Sequence, residues 1–227
     1  MKSNIVFLLI LTGSFLTGCQ AQNRPETESA PGINPIRNTK NIMDARNIPF
    51  VNHPDYRNFS ICYGHTCNTI ETLQLSEQEW GNIRALFEPA SSTAEKERIQ
   101  IAAAIGAMEN LVGSKTGTSY DQAENFPGLG QGGQMDCVDE STNTSVYLTM
   151  MQTDNLFRWH RVQRNESRGI STLQVPHFTA VIRDMQDGVP YAVDSWFLPN
   201  GASPFIVPLS QWKDGWRPEQ ELFFDTN

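Results

Sequence analysis

A chain of 227 residues has room for one domain with a sizeable core and is too short for two of ordinary size. Its 39% hydrophobic and 10% aromatic content is that of a folded, water-soluble protein. A formal net charge of -8 argues against the basic surface that a phosphate backbone or an anionic bilayer recruits, so no nucleic-acid partner is expected.

The chain opens on "MKSNIVFLLILTGSFLTGCQ", with Lys2 followed by an apolar run from Ile5 that ends in small residues. The run is too short and wrongly flanked for a stable membrane span, and residues 1–19 are predicted to be an export signal. Leu16, Thr17, Gly18 and Cys19 resemble a bacterial lipobox. That resemblance implies an acylated Cys19 as the mature N-terminus and a lipid bilayer as partner. Gln20, where Asp would mark inner-membrane retention, implies an envelope protein anchored to the outer membrane and facing the periplasm, given a Gram-negative source. The alternative is a plain secretory signal with a chance cysteine.

Residues 20–47 are rich in Pro, Asn, Ser and Glu and poor in large apolar groups, which predicts a flexible tether. The domain is expected over 48–227.

With Cys19 lipidated, three cysteines remain: Cys62, Cys67 and Cys137. Cys62 and Cys67, in "ICYGHTC", enclose four residues including Gly64, so a tight loop brings them within disulfide range. A disulfide is favoured over a metal site built on Cys62, His65 and Cys67 with His53, which lacks a clear fourth ligand. A bridge this short pins one loop rather than the whole domain. Cys137 is then unpaired, and is either inert and buried or reactive. No metal or other cofactor is expected.

Ser76 and Glu79 form a capping box, after which Trp80, Ile83 and Phe87 share one face of a short helix ended by Pro89. Ser92 and Glu95 repeat the device, and Ile101, Ile105, Met108 and Val112 then mark a second helix stopped by Gly113. Both stripes are read as core. The glycine-rich stretch 116–133 is predicted to be a long surface loop leading to Cys137. A helix follows to about Met151, with Val138, Tyr147, Leu148 and Met151 as core contacts.

After Asp154 the pattern alternates. "LFRWHRVQ", "HFTAVIRDM", "VPYAVDSWF" and "PFIVPL" read as strands, with Asp187-Gly188 turning between the second and third. Helices first and antiparallel strands afterwards predict an α+β fold. Trp212 and Trp216, four apart, are expected to close the core over the sheet or to line a groove.

A cysteine where a loop enters a helix meets free backbone N–H groups and the positive end of the helix dipole, both of which favour a thiolate. His177 opens one strand and Asp194 lies near the end of the strand paired with it. The two therefore sit near one end of the hairpin, offset by a few residues, as a Cys-His-Asp triad requires. Asp136, Asp139 and Glu140 oppose the helix effect as neighbouring acids, unless they are ordinary capping residues facing solvent. His53, His65 and His160 are read as structural, His160 being the substitute base.

The order Cys137, His177, Asp194 resembles the papain-like superfamily, especially its compact transglutaminase-like and NlpC/P60-like branches. "HFTAVI" followed by "VDSWF" is similar to the histidine strand and Asn-Ser-Trp of that superfamily, with Asp194 replacing Asn and Trp196 shielding the pair and bordering the substrate. Gln131 or Gln134 resembles the glutamine of its oxyanion hole, and Asp136-Cys137 the Asp-Cys pair of NlpC/P60 enzymes. "DCVDESTNT" with "AVDSWF" also resembles an uncharacterised bacterial lipoprotein family. The resemblance spans roughly 131–200. Cys137 lacks both the Ser-Gly that follows it in NlpC/P60 enzymes and the aromatic of papain. What it implies is thiol acyl transfer, as a cysteine peptidase, amidase or transglutaminase-like enzyme, on a peptide or peptidoglycan-type amide. The alternative is an envelope lipoprotein using the same scaffold, without catalysis, for binding or assembly.

Overall fold

The computed structural model describes residues 50–125, 132–169 and 175–219. The segments expected to be an export signal (1–19, with Cys19) and a tether (20–47), together with Gln131, lie outside the described residues. Among those described, no helix is long and apolar enough to cross a membrane.

The fold is α+β. A hairpin of β1 (Phe59–Tyr63) and β2 (Thr69–Leu73) comes first, followed by α1 (Glu77–Ala85), α2 (Ala94–Thr116) and α3 (Cys137–Thr153). A four-stranded antiparallel sheet then forms in simple sequence order from β3 (His160–Arg168), β4 (His177–Asp184), β5 (Pro190–Asp194) and β6 (Phe205–Pro208), and α4 (Leu209–Lys213) follows. The first hairpin is absent from the sequence reading because β1 is buried along nearly its whole length and so does not alternate.

Ser76 caps α1 as expected: its hydroxyl accepts the Glu79 N–H at 3.2 Å and Glu79 accepts the Ser76 N–H at 2.7 Å. Two other expectations are corrected. Thr93, not Ser92, is the N-cap of α2, accepting the Lys96 N–H, while Ser92 accepts from the Lys96 ammonium. Gly113 does not stop α2, which runs on to Thr116 and ends on Gly117 in the left-handed region at φ 79. Gly113 serves close packing instead, since a Cβ there would lie 2.9 Å from the Asn200 side chain and 3.1 Å from the Ser119 backbone.

α3 is the central element, with fourteen of its seventeen residues buried, so no amphipathic stripe could announce it. Three of its hydroxyls bond backward, Ser141 to Val138 O at 3.2 Å, Ser145 to Ser141 O at 2.8 Å and Thr149 to Ser145 O at 2.7 Å, while Thr144 meets the Ser195 hydroxyl at 3.2 Å and buried Thr142 has no partner among the described residues. One core packs Ile101, Ile105, Met108 and Val112 of α2 with Val146 and Leu148 of α3 against Val162, Ala180, Ile182 and Val193 of the sheet. Each such aliphatic side chain removed from water contributes about 1.5–3 kcal/mol. Strand alternation turns His177, Thr179, Val181, Ala192 and Asp194 to the opposite face. There Trp212 of α4, fully buried, closes over them.

Candidate active site

The β4–β5 register runs from Arg183 opposite Pro190 to Ala180 opposite Val193. Carried one step further it sets Asp194 across from Thr179, two residues and therefore one same-face position away from His177. The diagonal neighbours meet: His177 Nε2 lies 2.7 Å from Asp194 Oδ2. The Asp194 carboxylate is buried and takes two more donors, the Trp212 indole N–H at 2.6 Å on the same oxygen and the Trp196 N–H at 3.3 Å on the other. A buried carboxylate needs such donors to replace the water it gives up.

Trp196, Phe197 and Trp212 surround the His177 ring with centroids 4.8, 5.3 and 5.4 Å away. The second ring nitrogen, Nδ1, is buried and has no hydrogen-bond partner among the described residues. Behind Trp212, Arg168 stacks on the indole at 4.5 Å and donates to the carbonyls of Trp212 and Trp216. The sequence marks Trp212 only as a residue that closes the core over the sheet or lines a groove, and gives no sign of Arg168, because nothing in its spacing signals contact with Trp212.

Cys137 is the first residue of α3 and packs against Trp196 and Phe197, the same two rings that touch His177. Its sulfur lies 3.8 Å from the carbonyl oxygen of Pro176 and receives the Phe178 N–H, so it rests on the β4 backbone on either side of His177. In a strand those two groups point to the same edge. The thiol thus meets β4 beyond the last β5 pairing, at Ala180.

Burial pushes the Cys137 thiol up to about 12, and the charges of Asp136 and Asp194 add to the rise, against the Phe178 N–H and its own N–H. The sequence expectation of a favoured thiolate is thereby corrected. Desolvation of a side chain only 4% exposed outweighs the partial charge of one helix end.

The neighbouring acids do cap the helix, since Asp136 accepts the Val138 and Asp139 N–H groups at 3.0 Å, but Asp139 and Glu140 do not face solvent. Asp139 is fully buried and accepts the N–H groups of His65 at 2.7 Å, Cys67 at 2.5 Å and Asp136 at 3.2 Å. Burial and the Asp136 charge raise it to about 7. Glu140 is raised well above the usual carboxylate range by burial and by Glu109 and Asp121, with which it forms a buried acidic group. Burial likewise lifts Glu109 to about 7.

Cys62 and Cys67 form a disulfide with Cα atoms 4.8 Å apart. Among the described residues, the one set of candidate metal-ligand atoms is Cys62, Cys67 and Asp139, without His65 or His53. Gln134 is buried in the loop before Cys137, its amide donating to Tyr120 O at 3.0 Å and its oxygen accepting from Gln122 and Asn125. It pins the 118–125 segment. His160 is committed elsewhere: Nδ1 lies 2.9 Å from Glu97 Oε1 and Nε2 lies 3.3 Å from Arg98, so no ring nitrogen is left to act as substitute base.

Comparison of the chain with protein-family models, with curated proteins and with solved structures finds no match. The case for the site therefore rests on its own geometry.

Proposed function

We propose that the chain is a thiol acyl-transfer enzyme of the cell envelope, held to the bilayer through an acylated Cys19, with Cys137, His177 and Asp194 as its catalytic residues. One observation carries the reading. The imidazole is bonded through Nε2 to a carboxylate that has two further donors, and its Nδ1 has no partner among the described residues, against the same two rings that hold the sulfur.

In the resting enzyme the thiol is protonated. As the sulfur attacks an amide carbonyl carbon, His177 Nδ1 takes the thiol proton, and Asp194 stabilises the imidazolium that results. The tetrahedral intermediate collapses when the imidazolium returns that proton to the leaving amine, which departs and leaves a thioester on Cys137. Water or a second amine, deprotonated by the same nitrogen, attacks the thioester and frees the thiol. The Cys137 N–H, at the open end of α3, serves as an oxyanion donor. Gln131 remains the second candidate donor, with Gln134 engaged in its loop.

A second reading, a non-catalytic envelope scaffold for binding or assembly, is favoured by the buried, protonated state of the same thiol. A peptide-based electrophile separates the two. On the enzymatic reading it labels Cys137 in the folded protein, and His177→Ala slows that labelling by roughly 10^2-fold or more. Equal rates in wild type and His177→Ala would leave the scaffold.

A further inference from the structure

The β1–β2 hairpin turns through Gly64, His65, Thr66 and Cys67, all in the left-handed region, with φ of 85, 66, 52 and 52. Three consecutive non-glycine residues do not hold that conformation unaided. The bridge between Cys62 and Cys67, five residues apart, closes the turn.

Such a run aims successive N–H groups into one concavity, which takes up anions. Here the anions belong to the segment carrying Cys137. His65 and Cys67 donate to Asp139, Thr66 donates to Asp136 Oδ2 at 2.9 Å, and Gly64 donates to Gln134 O at 3.0 Å. One turn further along α3, the Asn143 amide accepts the Cys62 N–H at 2.8 Å and donates to Cys62 O at 2.7 Å. The loop therefore grips the chain on both sides of the cysteine, at 134 and 136 before it and at 139 and 143 after it.

We propose that the disulfide loop is the positioning element of Cys137, with Asp139 as its positioning residue, so that the thiol takes its place beside His177 only after the Cys62–Cys67 bond has formed. The inference rests on Cys137 being the nucleophile of the reading above. In the bond-forming step the two thiols lose two protons and two electrons to a disulfide donor, which leaves as a dithiol. Both sulfurs are buried afterwards, so the bond matures the site once rather than switching it.

The test compares three full-length proteins: wild type, Cys62→Ser/Cys67→Ser, and Asp139→Asn with the bond intact. Iodoacetamide alkylation of Cys137 is followed by mass spectrometry from pH 6 to 10, alongside circular dichroism. The expected result is that both variants remain folded, alkylate at least 10-fold faster at pH 8, and show a pH midpoint moved down toward that of an exposed thiol. Combining the substitutions should add little further change. A folded double variant with the wild-type pH profile overturns the proposal. Should the double variant fail to fold, an unchanged profile in Asp139→Asn overturns it equally. Alkylation needs no turnover, so a wild type that processes no amide while the variants shift as stated defeats the enzymatic reading and leaves the positioning intact.

Discussion

The Nε2 atom of His177 and the indole nitrogen of Trp212 converge on a single oxygen, Oδ2 of Asp194, at 2.7 and 2.6 Å. The carboxylate is thereby fixed from two directions, and the imidazole is fixed by the carboxylate. Trp212→Phe keeps the ring and removes the N–H. On the proposed mechanism kcat should fall roughly 10-fold with KM unmoved, because orientation of the base matters in the transition state and not in substrate binding. His177→Ala should cost roughly 10^2- to 10^4-fold. Steady-state kinetics on a chromogenic amide or thioester would measure both, and a Trp212→Phe enzyme altered only in KM would contradict this account of the indole.

A thiol held near 12 by burial reacts slowly at neutral pH. Alkylation of Cys137 in the folded wild type should therefore climb with pH and show no plateau below about pH 10. Unfolding in denaturant should restore an ordinary thiol midpoint of roughly 8.5. A plateau near pH 6 to 7 in the native protein would instead reveal a resting thiolate–imidazolium pair.

Glu109 is buried, takes the Gly201 N–H at 2.9 Å and a Ser195 hydrogen bond, and sits near Asp121 and Glu140; burial raises it to about 7. Its folded value lies above its unfolded one, so the folded state binds the extra proton. The stabilisation is full below about pH 4.5 and is lost as pH rises through about 7, an effect on the order of 3 kcal/mol. Asp139 acts in the same sense. Glu79, held down at about 2 by Lys115 and the Ser76 cap, works oppositely: its contribution is present above its unfolded value and lost as pH falls toward 2. Thermal melts should show a maximum in the mildly acidic range, and Glu109→Gln should flatten the decline between pH 5 and 8. A decline as steep in the variant as in wild type would acquit Glu109.

Asn143→Ala should destabilise the fold by roughly 2–4 kcal/mol, since it leaves both the N–H and the carbonyl of buried Cys62 without their side-chain partner. The denaturant midpoint should drop with little change in slope. Loss of less than 1 kcal/mol would mean the loop holds without that clamp.

Residue patterning alone announced the helix at 77–85, the presence though not the end of the helix that begins at 94, the strands after Asp154 and the short disulfide, and it singled out Cys137, His177 and Asp194 as candidates. These are local matters of capping, periodicity and spacing, and each is written in neighbouring side chains. The parity of one hairpin was nearly legible too: His177 and Asp194 fall on one face of a strand pair whichever of the nearby even registers is adopted. Tertiary structure decided the rest. The β1–β2 hairpin, buried along β1, gave no alternation, and Gly113 read as a stop because the approach of Asn200 and Ser119 comes from segments distant in sequence. The sequence left open whether Asp139 and Glu140 oppose the helix effect or face solvent as caps, because their donors and acidic neighbours arrive from the disulfide loop, α2 and the 118–125 segment. The ionisation of Cys137 was misjudged for the same reason: a helix end is visible in a sequence, whereas desolvation is the work of every element that packs around the sulfur.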